Sequence, residues 1–220
     1  MTLSPNRLRI NVGNWYVDKQ LEELREYVKV MEQLISGELA REEDALAKGA
    51  AQLAEEHRAN YYADNADYLQ LVGDTFTNRL RLSSITLAHS VIESHLVRTV
   101  KDLSRDRPLK INDLSGNSPV DKSRKYLGSV LGVELQDRHW ENLRVWGKLR
   151  NIIVHSDGHP TTENEKDLSP LLQKYANDLR VENYQLVASP NLVLHFIADI
   201  EALKDGLTVA LSKWESAGAP

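Results

Sequence analysis

The stretch Arg-Asn-Ile-Ile-Val-His-Ser-Asp-Gly-His-Pro, residues 150–160, decides the fold class because it contains the end of a strongly patterned helix. Upstream of it, apolar side chains recur at steps of three and four, the period of an α-helix that packs on a core. Gly158, followed two residues later by Pro160, is a helix stop signal. The sequence therefore predicts a helix from Arg138 to about Ser156, capped by Asp137.

The polar side chains of this helix do not all lie on one side. At about 100° per residue, one polar stripe consists of Arg144, Lys148, Asn151 and His155. Arg150 projects instead into the apolar side, where a permanently charged guanidinium needs a carboxylate, a carbonyl or a phosphate as partner. We expect Glu93 to be that partner in the resting protein. Arg150 and His155 are about 140° apart, so they meet only if the helix frays at His155 or if two copies share the site.

Composition favours helices over strands throughout the chain. Aromatic residues make up 6%, and glycine (11) and proline (7) are few among 220 residues. We predict an all-α helical bundle with an N-terminal helical hairpin and a small β-hairpin before the last helix. The chain divides into an arm and hairpin, residues 1–73, and a helical domain, residues 74–220, which can pack together as a single domain.

The element boundaries follow from periodicity and breaker residues. Residues 8–12 alternate like a short edge strand or an ordered arm, and Gly37 is expected to interrupt the first helix. An extended bend or hairpin is expected near residues 184–194. The other helices are predicted from residue 18 to Gly37 and at residues 38–72, 74–104, 120–131, 168–179 and 195–214. The acidic face of the 38–72 helix is expected to be solvated, or else to dock a basic partner.

Composition also excludes several classes of function. Without cysteine there is no disulfide, no thiolate zinc site and no cysteine nucleophile. No apolar signal core and no uninterrupted apolar run of about 18 residues occurs, so we expect a cytoplasmic protein with no membrane partner. The net charge of −5 means that nucleic acid would have to bind in a local basic groove rather than through a global positive field.

Two histidine pairs have a spacing that metals use. His89 and Glu93 are one helical turn apart, which fits either a hydrogen-bonded pair in the core or a proton- or metal-binding pair. His155 and His159 are four residues apart, but Gly158 should end the helix between them and no third ligand is evident. Phosphate-binding glycine loops and serine-nucleophile elbows are missing from the sequence. We expect neither a metal nor another cofactor.

The Arg150-Asn151-x-x-x-His155 pattern at the end of an apolar helix resembles the Arg-polar-x(3–5)-His motif of the HEPN superfamily. Residues 87–96, Leu-Ala-His-Ser-Val-Ile-Glu-Ser-His-Leu, resemble the apolar helix that packs on the motif helix in that fold. The resemblance covers residues 74–214. It implies an all-α bundle that forms a homodimer with its two motif helices facing each other, and commonly a metal-independent endoribonuclease of a toxin–antitoxin or antiviral defence system.

The resemblance implies a role for each motif residue. Arg150 and His155 would be catalytic, Asn151 would be the supporting polar residue, and an antitoxin or a nucleotidyltransferase is an expected partner. From the helical wheel we expect Arg144 and Lys148 to bind RNA, with Glu93 and His89 in support. Two alternatives stay open: a non-catalytic dimerisation or interaction module that binds a protein or nucleotide, and a helix end whose histidine and arginine have structural roles only.

Overall fold

The structure, a computed structural model, describes residues 5–218, and their side chains from residue 11 onward. It is an all-α bundle with one small antiparallel sheet, as the sequence predicts, and 79% of the chain is helical. The elements are α1 (Pro5–Ala51), α2 (Glu55–Gln70), α3 (Thr77–Leu103), α4 (Pro119–Lys125), α5 (Asp137–Ser156), α6 (Thr162–Lys174), β1 (Leu179–Glu182), β2 (Gln185–Ala188) and α7 (Pro190–Ser216). In the described residues, no helix is long and apolar enough to cross a membrane.

The N-terminal helix is longer than the sequence pattern indicates. The edge strand expected at residues 8–12 is wrong, since these residues lie in α1, and so is the interruption at Gly37, which α1 passes through. A glycine inside a helix costs only about 1 kcal/mol, and helical neighbours on both sides outweigh that cost. The hairpin turn falls instead at residues 52–54. A π-helical turn, Leu71–Phe76, then joins α2 to α3 as one continuous helical segment.

The β-hairpin exists, but it lies earlier in the chain than expected. β1 pairs with β2 from Leu179–Ala188 to Glu182–Gln185. Asn183 and Tyr184 form the two-residue turn, both with positive φ (48° and 64°), which matches the twist of paired strands. The bend expected up to residue 194 is wrong, because Ser189 caps α7 by accepting a hydrogen bond from the Asn191 amide (3.2 Å).

α3 is the central helix and contacts α1, α5 and α7. Fourteen of its residues are buried, which explains its long apolar pattern. Between α5 and α7 the core is aromatic, since Trp146 stacks on Phe196 with ring centroids 4.3 Å apart. Trp146 also donates its indole hydrogen bond to Asp199 on α7 (2.9 Å). These contacts fix the face of α5 that points into the core.

Two polar contacts tie α3 to its neighbours at the point where α1 and α2 leave the bundle. Buried Asn78 donates to the Leu186 carbonyl (2.8 Å) and accepts from the Ala188 amide (2.9 Å), which holds β2 against α3. Arg81 donates two hydrogen bonds to the Glu32 carboxylate (2.6 and 2.8 Å). Beyond this point, residues 33–71 form a projecting two-helix arm in which Ala50 is the one buried residue among those described.

Candidate functional site

The C-terminal end of α5 is positioned by the chain that follows it. The helix ends at Ser156, and Asp157 and Gly158 both have positive φ (48° and 77°), which confirms the predicted stop. The Gly158 carbonyl accepts a hydrogen bond from the Leu186 amide (2.8 Å), so the β-hairpin anchors the motif. The cap expected at Asp137 is wrong: Asp137 is the first residue of α5, Gln136 is the N-cap residue, and the Asp137 carboxylate pairs with Arg124 (2.9 Å).

Arg150 is half-buried and is not neutralised by an acid. Its Nε is buried without a hydrogen-bond partner, and its Nη1 donates to the Asn151 side-chain oxygen (3.1 Å). Among the residues whose side chains are described, no carboxylate lies within the 4.0 Å that defines an ion pair with this guanidinium. A half-buried guanidinium with one buried nitrogen unbonded and no carboxylate beside it is costly, and a bound anion would lower that cost.

Glu93 does not act as the partner of Arg150, so that expectation is wrong. Its carboxylate lies instead 3.4 Å from Nδ1 of His89, on the same helix. His89 is buried, and its pKa is lowered from 6.5 to about 4, first by burial and second by the positive charge of Arg150. The ring is therefore neutral near pH 7, and a neutral histidine rather than a carboxylate stands beside the guanidinium.

Close packing brings His89 against the motif helix. A Cβ atom added at Gly147 would lie 3.2 Å from Nε2 of His89, so the glycine makes room for the ring. Nδ1 of His89 is buried and makes no hydrogen bond in the described part of the chain. His89 thus lies beside Arg150, and Glu93 is near the His89 ring rather than the guanidinium.

His155 is exposed on the last turn of α5, and the structure does not bring it together with Arg150. α5 is continuous to Ser156, so the helix does not fray at His155. Its ring makes no hydrogen bond to any residue with a described side chain. Of the two arrangements left open by the sequence, a fray is excluded, and within one chain the two side chains diverge. Asn151 is exposed as well and is joined to Arg150 by the 3.1 Å hydrogen bond.

The two cations expected to bind RNA are each paired with a carboxylate. Arg144 Nε donates to Glu141 one turn away (2.9 Å), and Lys148 Nζ donates to Asp167 on α6 (2.6 Å). The Arg144 pair is exposed, so it is weak and exchangeable with solvent. The basic groove is therefore less positive than the sequence alone indicates.

The sequence analysis missed Asp199 on α7, which helps to orient α5 through its hydrogen bond with Trp146. Asp199 accepts hydrogen bonds from Trp146, from the Tyr175 hydroxyl (3.0 Å) and from Lys174 (3.2 Å), which connects three helices or their ends. No periodicity marks these residues as neighbours, because they are far apart in sequence. The one signal was an aspartate inside the apolar pattern of α7, which needs a buried donor.

The histidines near the motif do not form a metal centre. His159 Nδ1 lies 3.0 Å from the Tyr184 carbonyl, which fixes it on the hairpin side. Within residues 11–218, no three His, Asp or Glu side chains come together in an arrangement that could hold a metal ion. Comparison of the chain with protein-family models, with curated proteins and with solved structures gave no match.

Proposed function

We propose that this chain is a metal-independent endoribonuclease of HEPN type, belonging to a toxin–antitoxin or antiviral defence system. In it, Arg150 and Asn151 act on one RNA phosphate together with the His155 side chains of both copies of a dimer. The observation that carries the proposal is the half-buried guanidinium of Arg150, which no carboxylate neutralises. Such a group has a high affinity for a phosphate oxygen.

The residue types fit RNA cleavage by the substrate's own 2′-hydroxyl. A histidine takes the proton from that hydroxyl, and its oxygen then attacks the adjacent phosphorus. Arg150 donates hydrogen bonds to the non-bridging oxygens and stabilises the charge of the phosphorane. A second histidine gives a proton to the departing 5′-oxygen. The products are a 2′,3′-cyclic phosphate and a free 5′-hydroxyl, so the atoms balance without an added reagent.

A homodimer supplies both histidines. In one chain Arg150 and His155 point about 140° apart on a helix that stays regular to its end, which disfavours a site built within a single copy. His155 is exposed and unbonded among the described residues, as a proton-transfer group awaiting a partner would be. Two copies with their α5 helices facing each other would bring the His155 of one towards the Arg150 of the other.

The test is expression of wild type, Arg150→Ala and His155→Ala in bacteria, with growth and RNA integrity followed together. The purified proteins are then incubated with RNA in the presence of a chelator. We expect wild type alone to slow growth and to leave cyclic-phosphate ends, and either substitution to reduce cleavage by about a hundredfold or more.

Two variants serve as matched controls. Arg138→Ala removes an exposed cation at the opposite end of the same helix, and His159→Ala removes a second exposed histidine four residues from His155. Both should retain most of the cleavage. If wild type neither cleaves RNA nor slows growth, with and without phage, or if the controls lose as much as the motif variants, the proposal is wrong.

One observation favours the second candidate, a non-catalytic module that binds a nucleotide or protein. Because Arg144 and Lys148 are already paired, the surface around Arg150 offers little extra positive charge for a long RNA. A single phosphate would still be held by Arg150. Binding of a labelled mononucleotide to wild type but not to Arg150→Ala, without any cleavage, would select this function.

A further inference from the structure

Tyr184, at the tip of the β-hairpin, is the most exposed large apolar or aromatic side chain in the described part of the chain, at 83%. Its backbone is left-handed, with φ at 64°, a region that side-chain-bearing residues seldom adopt and that glycine normally occupies in such turns. Neither packing nor backbone geometry therefore favours a tyrosine at this position. Strained residues of this kind cluster at functional sites, where they contact a ligand.

The tip of the β-hairpin lies beside the end of the motif helix. Nδ1 of His159 donates a hydrogen bond to the Tyr184 carbonyl (3.0 Å), and the Leu186 amide donates to the Gly158 carbonyl (2.8 Å). Because His159 is four residues after His155, their Cα atoms are at most about 14 Å apart. The two hydrogen bonds fix the tip next to the proposed catalytic histidine, and loss of one would leave the other.

The Tyr184 ring is an isolated flat group rather than part of an apolar protein-binding patch. Its neighbours along the β-hairpin are polar, since Glu182 and Asn183 are exposed and Gln185 is half-buried. Specific protein interfaces instead bury about 800 Å² per partner around a largely apolar centre. A single aromatic ring among polar groups matches the way in which proteins hold an unpaired RNA base, by stacking on it.

Stacking would supply affinity that the charges on this side of the site do not. Arg79 pairs with Asp157 beside the helix end (3.1 Å), and Arg180 pairs with Glu182 on the β-hairpin. Each pair is neutral overall, so this side adds little net positive charge for the phosphates of an RNA strand. The face of the Tyr184 ring needs no charge to bind a base, and it accepts every base.

We propose that Tyr184 stacks on a base of the RNA whose phosphate Arg150 holds, and so positions the strand at the site. The inference rests on the proposed function for its ligand, but it concerns binding and not the chemistry of cleavage. Stacking on the ring requires an unpaired base, so a single strand or a loop binds here and a blunt duplex does not. Tyr184 is thereby a binding residue that selects which RNA structures reach His155.

The experiment measures binding of a short fluorescent single-stranded RNA, uncleavable because its 2′-hydroxyls are methylated, to the full-length protein. Tyr184→Gly should weaken binding by about ten- to a hundredfold, the usual loss when one stacking ring is removed. Tyr184→Phe keeps the ring and should keep the affinity, whereas Tyr184→Leu keeps only apolar bulk and should not. On an oligonucleotide of the same length that lacks bases, wild type and Tyr184→Gly should bind alike.

Further comparisons separate stacking from folding and from charge. Glycine suits a positive φ, so Tyr184→Gly should unfold at the same or a higher urea concentration than wild type while it binds RNA less tightly. Tyr68→Ala removes an exposed ring on the arm and should leave binding unchanged. Added salt should shrink the difference between wild type and Arg150→Ala but not that between wild type and Tyr184→Gly, because only the phosphate contact releases counterions.

The inference is overturned if wild type binds no RNA, if Tyr184→Gly binds as tightly as wild type, if Tyr184→Leu binds as tightly as Tyr184→Phe, or if the loss persists on the strand without bases. The two proposals fail separately. RNA that is bound through Tyr184 but never cleaved refutes only the ribonuclease. Cleavage at subsaturating RNA that is unchanged in Tyr184→Gly refutes only the role of Tyr184.

Discussion

Arg150 on α5 lies beside His89 on α3, and each has a buried nitrogen without a hydrogen-bond partner in the described part of the chain, Nε of Arg150 and Nδ1 of His89. The guanidinium lowers the pKa of the imidazole, so the arginine keeps its charge next to a neutral ring. This arrangement leaves the positive charge of Arg150 available to a ligand.

We expect the unfolding free energy to fall as the pH is lowered from about 6.5 to 4. Burial, followed by nearby cations, lowers the pKa values of His89 and His95 from 6.5 to about 4. Their unfolded forms bind protons first as the pH falls, so their contribution is complete above pH 6.5 and is lost between about pH 6.5 and 4. Each histidine contributes a slope of up to about 1.4 kcal/mol per pH unit.

Urea unfolding at a series of pH values measures that slope. His89→Gln should lower the dependence of unfolding free energy on pH by about half of the histidine contribution. His57→Gln, which changes an exposed ring on the arm, is the control for the substitution itself. An identical slope in His89→Gln and wild type would contradict the assigned burial of His89.

Loss of the two hydrogen bonds between Asn78 on α3 and β2 should lower the unfolding free energy markedly. Asn78→Ala leaves the Leu186 carbonyl and the Ala188 amide without their partner, which predicts a loss of roughly 2–4 kcal/mol in unfolding free energy. Asn112→Ala, at an exposed position, should change it by less than about 0.5 kcal/mol. Chemical denaturation of the three proteins gives the comparison, and equal midpoints would show that Asn78 does not hold β2.

Arg81 and Glu32 should couple more strongly than an exposed ion pair. Their side chains are 19% and 18% exposed and share two hydrogen bonds, whereas Arg79 and Asp157 are 59% and 68% exposed with one. A double-mutant cycle with Arg81→Met and Glu32→Gln should give a coupling of about 1–3 kcal/mol. The same cycle on Arg79 and Asp157 should give about 0.5 kcal/mol or less, and a reversed order would contradict the described burial.

Nothing around Gly37 requires a glycine at this position of α1. A Cβ atom there would meet nothing within 4 Å, so Gly37→Ala should stabilise α1 by about 0.5–1 kcal/mol. Slower amide hydrogen exchange in residues 33–41 is the measurement. Gly147→Ala is the matched case, because its Cβ would press on His89 and offset the gain. Faster exchange in Gly37→Ala would mean that the glycine is needed for the shape of α1.

The sequence predicted those helix ends that are set by neighbouring residues in the chain. The end of α5 at residues 156–158 was predictable because a glycine with positive φ and a following proline are sequence signals. The extent of α1 was not, since Gly37 looks like a breaker and only packing of the whole hairpin shows that it is tolerated. The β-hairpin was misplaced because its turn, Asn183–Tyr184, lacks the glycine that marks most such turns.

The sequence marks candidate residues near the end of α5, but it does not show their contacts. The helical wheel placed Arg150 on the apolar side of α5, but its guanidinium reaches Asn151 of the polar stripe through a 3.1 Å hydrogen bond. The sequence offered His89 and Glu93 as a pair one turn apart on one helix, but it could not show that the His89 ring lies against Gly147 of α5, because that depends on the close approach of α3 and α5. The sequence also could not show that Asp167 pairs with Lys148, because it does not tell where α6 packs relative to α5.

The π-helical turn at Leu71–Phe76 sets the rotational phase between the arm and the bundle. A π turn contains about one residue more than the corresponding α-helical turn, and here the Thr77 hydroxyl bonds the Val72 carbonyl within it (3.0 Å). Deleting one residue from this segment would turn α2 by about 100° relative to α3 and move Tyr61 away from Gly49 of α1. Sequences that share this architecture can therefore vary the length of the arm in whole helical turns, but a single-residue insertion or deletion at this turn would present a different side of the arm to its surroundings.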